Sequence, residues 1–454
     1  MGLREKKILV VGAGKSGLAV AHFVAGKGAF TVLTDAQVPV LPDGEAARLQ
    51  AEGVVPAFGG YPPVGRQTFD LVVISPGVPL TVEPAREALA NGVTLIGELE
   101  LAYAFARAPM VAITGTNGKT TTTTLIGELF KESGRKVLVG GNIGLPLVTA
   151  VENYGPGDLI IAEVSSFQLE TVISFRPKVA VILNITPDHM DRHGHMEAYT
   201  TAKARVFANQ GQEDFTVLNY DDPLTAGLAA KTAGRVIFFS SHQQLPSGVF
   251  VESGKIVVRD GTQEQVICRT EEIALPGAHN LENALAAVAV AQVMGLPADT
   301  IARVLEGFQG VPHRLEFVAE INGVRYINDS KGTNPAAAIR ALEAYSSPVV
   351  LIAGGKNKGS DFGSLATIIK QKVKTLVVLG QSADLIEQAA RAKGFTAIQK
   401  AADFAEAVLL AHQAARPGEV VLLSPACASW DMFNNFEERG ELFKEIIYSL
   451  EKSF

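Results

Sequence analysis

The chain has 454 residues, 47% of them hydrophobic and 19% charged, with 40 Lys and Arg against 47 Asp and Glu for a net charge of -7. That length exceeds what one hydrophobic core serves and predicts two or three domains, and an acidic balance without blocks of like charge excludes a nucleic-acid surface or polybasic membrane patch. Two cysteines, Cys268 and Cys427, exclude a disulfide framework and a four-ligand zinc site of cysteines.

No apolar run reaches the ~18 residues of a membrane span. The N-terminus MGLREKKILVVGAG runs straight into a strand, without the apolar core and cleavage site of a signal peptide, so a reducing, cytoplasmic setting is expected. From residue 7 onward the strands KILVVG, TVLTD and DLVVIS alternate with helical periods near 16–27, 44–52 and 82–91, which predicts a parallel sheet flanked by helices. The first strand leads into Gly12-x-Gly14-x-x-Gly17 at a helix start, and Asp35 ends the next strand. This pattern suits NAD, with Asp35 on a ribose hydroxyl, but equally another phosphorylated ligand or a purely structural glycine turn. A second glycine turn, SPGVP at 75–79, follows the next strand and faces the same crevice.

A second unit opens with MVAITG (110–115), a helix from Lys119 to Ser133, and the strands KVLVG, DLIIAEV and VAVILNI, apolar throughout as strands buried on both faces are. At its first strand-to-helix junction, AITGTNGKTTTT (112–123) resembles the phosphate loop G-x-x-x-x-G-K-[ST], except that Ile113 stands where the first glycine belongs. Backbone amides of Gly115 through Lys119 can still surround phosphate oxygens, Lys119 supplies a mobile positive charge, and Thr120 or Thr121 a hydroxyl for Mg²⁺. The bland alternative is a threonine-rich helix start with no ligand. Glu163 in AEVSSFQLE and the cluster DHMDRHG (188–194) end further strands, where open α/β sheets place ligands, and carboxylate with imidazole beside a triphosphate suits Mg²⁺. Taken singly, Glu163 reads equally as a helix cap and His189, His193 and His195 as a loop; zinc is a third option, weakened by the lack of cysteine here. Lys203, on the following helix, reads by default as a surface lysine. The unit closes with GAHNLENALAAVAVAQVMG (277–295) and DTIARVLEGF, and FQGVPHR (308–314) has the Gly and Pro of a linker.

The third unit begins with a hairpin, LEFVAEINGVRYIND, whose Asn322-Gly323 pair suits a type I′ turn. PVVLIAGG, TLVVLG and EVVLLSP then alternate with helices, again predicting a parallel sheet. NDSKGTNP (328–335), GGKNKG (354–359) and SPACASWDMFNNFEERG (424–440) all end strands. Each alone reads as a solvated loop; three together suit an anionic substrate.

Taken together, GAGKSG, SPGVP, GTNGKTT, EVSSFQLE, DHMDRH, HNLENALAA, HR, NDSKGTNP and SPACASWDMFNNFEERG resemble, over the whole chain, the Mur ligase family of ATP-dependent amide-bond-forming enzymes. In that family the loop has the form G-T-x-G-K-[ST]-[ST], so the missing glycine is a family trait. The last two motifs and the short first domain are most similar to the members that add D-glutamate to UDP-N-acetylmuramoyl-L-alanine; the D-N-P-R type motif of the diaminopimelate- and lysine-adding members is absent. The resemblance implies an α/β chain of three domains: an N-terminal Rossmann-like domain for the UDP substrate (1–97), a central P-loop ATPase-like domain with a parallel sheet (98–310), and a C-terminal Rossmann-like domain for the amino acid (311–454).

It also implies roles. Lys119, Glu163, His189 and Lys203 would form the catalytic centre. Gly115, Thr116, Asn117, Gly118, Lys119, Thr120 and Thr121 would hold the phosphates of ATP, with Lys119 on the γ-phosphate. Asn142 and Asn283 match adenine contacts, and Arg314, Asp329 and Lys331 match nucleotide contacts of the last domain. Thr120 or Thr121 with Glu163 would hold one Mg²⁺ and His189 a second, near Lys203, the lysine that the family carbamylates. Gly14, Lys15, Ser16, Asp35 and Gly77 would bind the UDP of the substrate, displacing NAD. Lys358, Ser429 and Phe436 match the D-glutamate pocket, although Lys356 stands where some relatives have an acidic residue and Asn434 where some have lysine. The implied reaction runs through an acyl phosphate and releases ADP and phosphate, with a monomer as the expected active form.

Overall fold

The computed structural model describes residues 1–275, 277–357 and 359–451. It divides into two compact units, Met1–Phe308 and Gln309–Phe454. The first contains two sheets and the second contains one.

The first sheet comprises β1 (Lys7–Val11), β2 (Phe30–Asp35), β3 (Val55–Phe58), β4 (Leu71–Ile74) and β5 (Thr94–Gly97), in the order β3-β2-β1-β4-β5 and parallel throughout. Ile8, Leu9, Val10 and Val11 are fully buried because helices cover both faces of their strand. Strand order reverses at β1, so the turns after β1 and β4 face one crevice. The glycine turn is locked by sterics: a Cβ on Gly17 would lie 1.7 Å from the Gly12 carbonyl oxygen, and Gly12 itself has a φ of 97°.

The central sheet holds β6 (Met110–Thr114), β7 (Val137–Gly141), β8 (Leu159–Glu163), β9 (Val179–Ile182), β10 (Phe215–Asn219), β11 (Arg235–Ser240), β12 (Gly248–Glu252), β13 (Lys255–Asp260) and β14 (Gln263–Arg269). Their order is β14-β13-β12-β11-β10-β9-β6-β8-β7. Strand β6 therefore lies between β8 and β9, and the loops leaving these three strands converge. The sheet is mixed, not parallel as the sequence predicts: β12, β13 and β14 pair antiparallel. Two-residue connections dictate this, since Ser253 and Gly254 (φ 49° and 72°) form a tight hairpin turn and a parallel crossover needs a much longer chain. The helix Ala278–Val293 buries nine consecutive residues, Asn283 to Ala291, against this sheet and the helix Lys119–Glu132.

The second unit carries β15 (Glu316–Ile321), β16 (Val324–Asn328), β17 (Val349–Gly354), β18 (Val373–Leu379), β19 (Ile398–Lys400) and β20 (Val420–Leu423), ordered β15-β16-β20-β17-β18-β19. Positive φ at Asn322 (51°) and Gly323 (76°) fits the predicted hairpin turn. Strands β16, β20 and β17 are adjacent and parallel, so NDSKGTNP, SPACASW and the start of GGKNKG leave from their shared C-terminal end.

Candidate functional site

The phosphate loop is built between β6 and the helix Lys119–Glu132. Gly118 caps that helix in the left-handed conformation (φ 82°) without a side-chain acceptor, which leaves the first amides of the helix pointing at the loop's mouth. Asn184, just after β9, braces the loop: its side-chain oxygen accepts from Asn117 N at 2.8 Å and its amide donates to the Asn117 carbonyl at 3.2 Å. Thr116 Oγ1 donates to the Thr186 carbonyl at 3.1 Å and lies 3.3 Å from the Tyr199 hydroxyl. Lys119 Nζ folds back on the carbonyls of Gly115 (2.9 Å) and Thr116 (2.8 Å), while Thr120 is buried and Thr121 half-buried. Asn283 closes the loop's far side, its Oδ1 accepting from Thr122 Oγ1 at 3.2 Å.

Lys203 is not the surface lysine its helix position suggests: it is 1% exposed, with Nζ donating to the Gly115 carbonyl at 2.8 Å and lying 4.4 Å from the Tyr199 ring centroid. Burial, reinforced by repulsion from Lys119 and opposed by Asp188, pulls its pKa down to about 7. Glu163, at the end of β8 and 2% exposed, accepts from Asn142 Nδ2 at 2.8 Å through Oε1, whereas its buried Oε2 has no hydrogen-bond partner. A carboxylate oxygen desolvated in this way calls for a cation, so the residues fit Mg²⁺. Among the described residues no group of three or more His, Cys, Asp or Glu could hold a metal. A hydroxyl, one carboxylate and the phosphates of a nucleotide are the donor set that suits Mg²⁺ without such a cluster. His189 holds a left-handed backbone (φ 54°), uncommon for a residue other than glycine, and its ring packs 4.8 Å from Phe167.

In the first sheet's crevice, Ser75 Oγ donates to the Gly12 carbonyl at 3.1 Å, joining the two glycine turns; Gly14 and Gly77 are exposed and Ser16 half-buried. Asp35 accepts from Ala13 N at 2.9 Å and from Gln37 N at 3.2 Å, so its carboxylate shapes the turn itself. Lys15 Nζ donates to the Gly144 carbonyl at 2.6 Å, in the segment that begins with Asn142. Within this unit the structure thus brings together Gly115 to Thr121, Asn142, Glu163, Asn283 and Lys203.

In the second unit, Arg314, Asp329 and Lys331 line one cavity of about 280 Å³ with Asn334 and Arg340. Asp329 accepts from Ser424 Oγ at 2.7 Å, and its burial pushes its pKa up to about 6 against that bond. Arg439, 1% exposed, donates to Ser330 Oγ at 2.9 Å and to the carbonyls of Ser330 and Cys427, fixing the NDSKGTNP and SPACASW loops together. Ser330 Oγ in turn donates to the Phe436 carbonyl at 2.8 Å; Ser429 is 2% exposed and Phe436 half-buried. Lys356 exchanges two backbone hydrogen bonds with Ala428, at 2.9 and 3.1 Å, which sets it beside Ser429, and the Asn434 amide is bound by Glu438. Lys358 lies outside the described residues. Sequence reasoning left Asn184, Tyr199, Arg439 and Arg192 without a role; Asn184, a polar residue ending an apolar strand, carried the one usable signal.

Residues 6–97 match the MurD-like N-terminal domain of Mur ligases, residues 113–291 the Mur ligase middle domain, and residues 313–427 the Mur ligase glutamate ligase domain. The chain is 64% identical over 448 residues to a UDP-N-acetylmuramoylalanine–D-glutamate ligase of Pelotomaculum thermopropionicum, covering 99% of this chain and 98% of the relative. It is 47% identical to the protein of the same name in Thermoanaerobacter pseudethanolicus, with both chains covered completely. Among solved structures, the UDP-N-acetylmuramate-alanine ligase MurC of Thermotoga maritima is similar in fold, with a TM-score of 0.56 at 20% identity over 98% of this chain and 100% of that one. The MurF ligase of the same organism, in complex with ADP, gives a TM-score of 0.53 at 17% identity over 98% and 96%.

Proposed function

The chain belongs to the Mur ligase family of ATP-dependent enzymes, and from that premise we propose that it joins D-glutamate to UDP-N-acetylmuramoyl-L-alanine in cytoplasmic peptidoglycan precursor synthesis, working as a monomer. The observation that carries this reading is full-length similarity, including the MurD-like first domain, to ligases of that name.

A carboxylate resists an amine because its charge repels the nucleophile and oxide is a poor leaving group. Phosphorylation removes both obstacles. The L-alanine carboxylate oxygen attacks the γ-phosphorus of ATP and the bond to ADP breaks. Lys119, turning from the Gly115 and Thr116 carbonyls to the γ-phosphate, stabilises the charge on the transferring group alongside the loop amides. The amine of D-glutamate, after losing a proton, then adds to the acyl carbon, and the tetrahedral intermediate expels phosphate with one former carboxylate oxygen. Water must be kept out until the amine has reacted.

Mg²⁺, when bound, would neutralise phosphate charge, held by Thr120 or Thr121 with Glu163 at one position and by His189 at another. Support for the first comes from the partnerless Glu163 Oε2. Lys203, with its pKa lowered to about 7, has a neutral fraction at physiological pH, and a neutral amine adds to CO₂ with loss of a proton to give a carbamate. That change replaces a cation crowded against Lys119 with an anion suited to the metal site. Asn142 and Asn283 are assigned to adenine, Arg314, Asp329 and Lys331 to the nucleotide, and Gly14, Lys15, Ser16, Asp35 and Gly77 to UDP. Lys358, Ser429 and Phe436 are assigned to D-glutamate.

The test is isotopic. With ¹⁸O in both oxygens of the alanine carboxylate, one label is expected in the released phosphate. Unlabelled phosphate accompanying amide formation would overturn the acyl-phosphate route.

A further inference from the structure

Arg192 lies in the short helix Met190–His193, one turn after His189, and its side chain is 16% exposed. Its guanidinium has three partners on two other stretches of chain. Nη1 donates to the Pro76 carbonyl, in the SPGVP turn, at 2.9 Å. Nη2 donates to Glu170 Oε2 at 2.6 Å. Its Cζ lies over the Phe167 ring, 4.1 Å from the centroid. Phe167 in turn touches both histidines of the cluster, with its centroid 4.8 Å from that of His189 and 5.5 Å from that of His193 in a stacked arrangement. Glu170 also stands 3.6 Å from His193 Nδ1, while His193 Nε2 lies 3.0 Å from Ser166 Oγ. Between the Pro76 turn, Phe167 and Arg192 the space is about 10 Å³, about the least that holds one water.

We propose that Arg192 is a positioning residue that ties the SPGVP turn of the first sheet to the loop carrying His189, so that the UDP-linked substrate and the phosphate loop share one rigid frame. The proposal rests on the ligase reading above and on the assignment of Gly77, next to Pro76, to that substrate. The chemistry calls for arginine. Two divergent N–H bonds and a cation over an aromatic ring are needed at once, and a lysine ammonium offers charge without the planar fork. Ser75 Oγ bonds to Gly12, so a hold on Pro76 is passed directly to the glycine turn at the start of the first helix. Glu170 and Phe167 keep the guanidinium aimed, and both follow Glu163 within one short segment. Loss of the tie frees the substrate turn while the phosphate loop, braced independently by Asn184, Thr116 and Tyr199, stays as it is.

The experiment compares wild type with Arg192→Lys, Arg192→Ala and Glu170→Gln, measuring KM separately for UDP-N-acetylmuramoyl-L-alanine, ATP and D-glutamate. Both arginine variants are expected to raise KM for the UDP substrate by ~10-fold or more, the scale of one lost charge-assisted hydrogen bond. KM for ATP and for D-glutamate should stay within ~2-fold, and guanidinium ion should partly restore Arg192→Ala. Glu170→Gln, which keeps the arginine but weakens its aim, is expected to show a smaller rise confined to the same substrate. An equal rise for all three substrates, or an unchanged KM for the UDP substrate, overturns the positioning role. An inactive wild-type enzyme would instead overturn the ligase reading on which it stands.

Discussion

Lys203 and Lys119 both donate to the Gly115 carbonyl, which puts two amines on one oxygen behind the phosphate loop. Burial lowers the Lys203 pKa most, and repulsion from the nearby Lys119 charge adds to it. Converting that amine to a carbamate, as proposed, would relieve the repulsion. Accordingly, Lys203→Ala should lose most turnover and recover part of it in short-chain carboxylic acids, which supply a free carboxylate in the vacated space; no recovery at any concentration tried would count against carbamylation. The motif identified Lys203 only by likeness to a family, because a lone lysine on a helix is usually solvated. Its burial depends on Tyr199, one turn back on its own helix, and on the loop after β6, where the Gly115 carbonyl is 88 positions away in sequence, a contact that no local pattern encodes. Arg192 and Asn184 escaped for the same reason: each acts by bridging separate stretches of chain.

Elements follow local pattern where burial is two-sided and break from it where the chain caps or crosses. Apolar runs such as MVAIT and VAVI became strands as read, and the Asn322-Gly323 turn has the positive φ its residues favour. Strand β3, VPAF, went unseen because Pro56 and partial exposure hide it at the sheet's edge. The strands between residues 215 and 269 include a short antiparallel run whose alternation is weak. Glu98 is the element-scale oddity. It begins the helix Glu98–Phe105, is 2% exposed, and accepts from Val148 N at 2.9 Å, pinning the segment after Asn142. Burial pushes its pKa from 4.5 up to about 7. A folded-state pKa above the unfolded one means that the native state holds the proton more tightly, so this contribution to stability is complete below about pH 4.5 and is lost as pH rises through about 7. Glu98→Gln, which mimics the protonated acid, should match wild type at about pH 4 and exceed it at about pH 8, by at most ~3 kcal/mol in urea unfolding. A variant less stable than wild type at pH 8 would contradict this account of the residue.

At the scale of the whole molecule, a chain of net charge -7 has to bind substrates that are all anionic. The global field opposes them, so cations have to be concentrated where the ligands sit. Lys15, Lys119 and Lys203 collect at strand ends of the first unit, and Arg314, Lys331 and Arg340 around one cavity of the second. Composition alone hides this, because it averages local clusters into a mildly acidic total; the spacing of the motifs along the chain reveals it, since each follows an apolar strand. Glycine turns at the strand ends supply amides, lysines supply charge, and the one partnerless carboxylate oxygen of Glu163 suits a divalent ion between them. The account then turns on which amino acid is joined. Phosphate release from ATP, Mg²⁺ and UDP-N-acetylmuramoyl-L-alanine, followed across a panel of D- and L-amino acids, tests it most directly. The account predicts sustained release with D-glutamate and background with L-glutamate; release with another amino acid in preference, or with none, would contradict it.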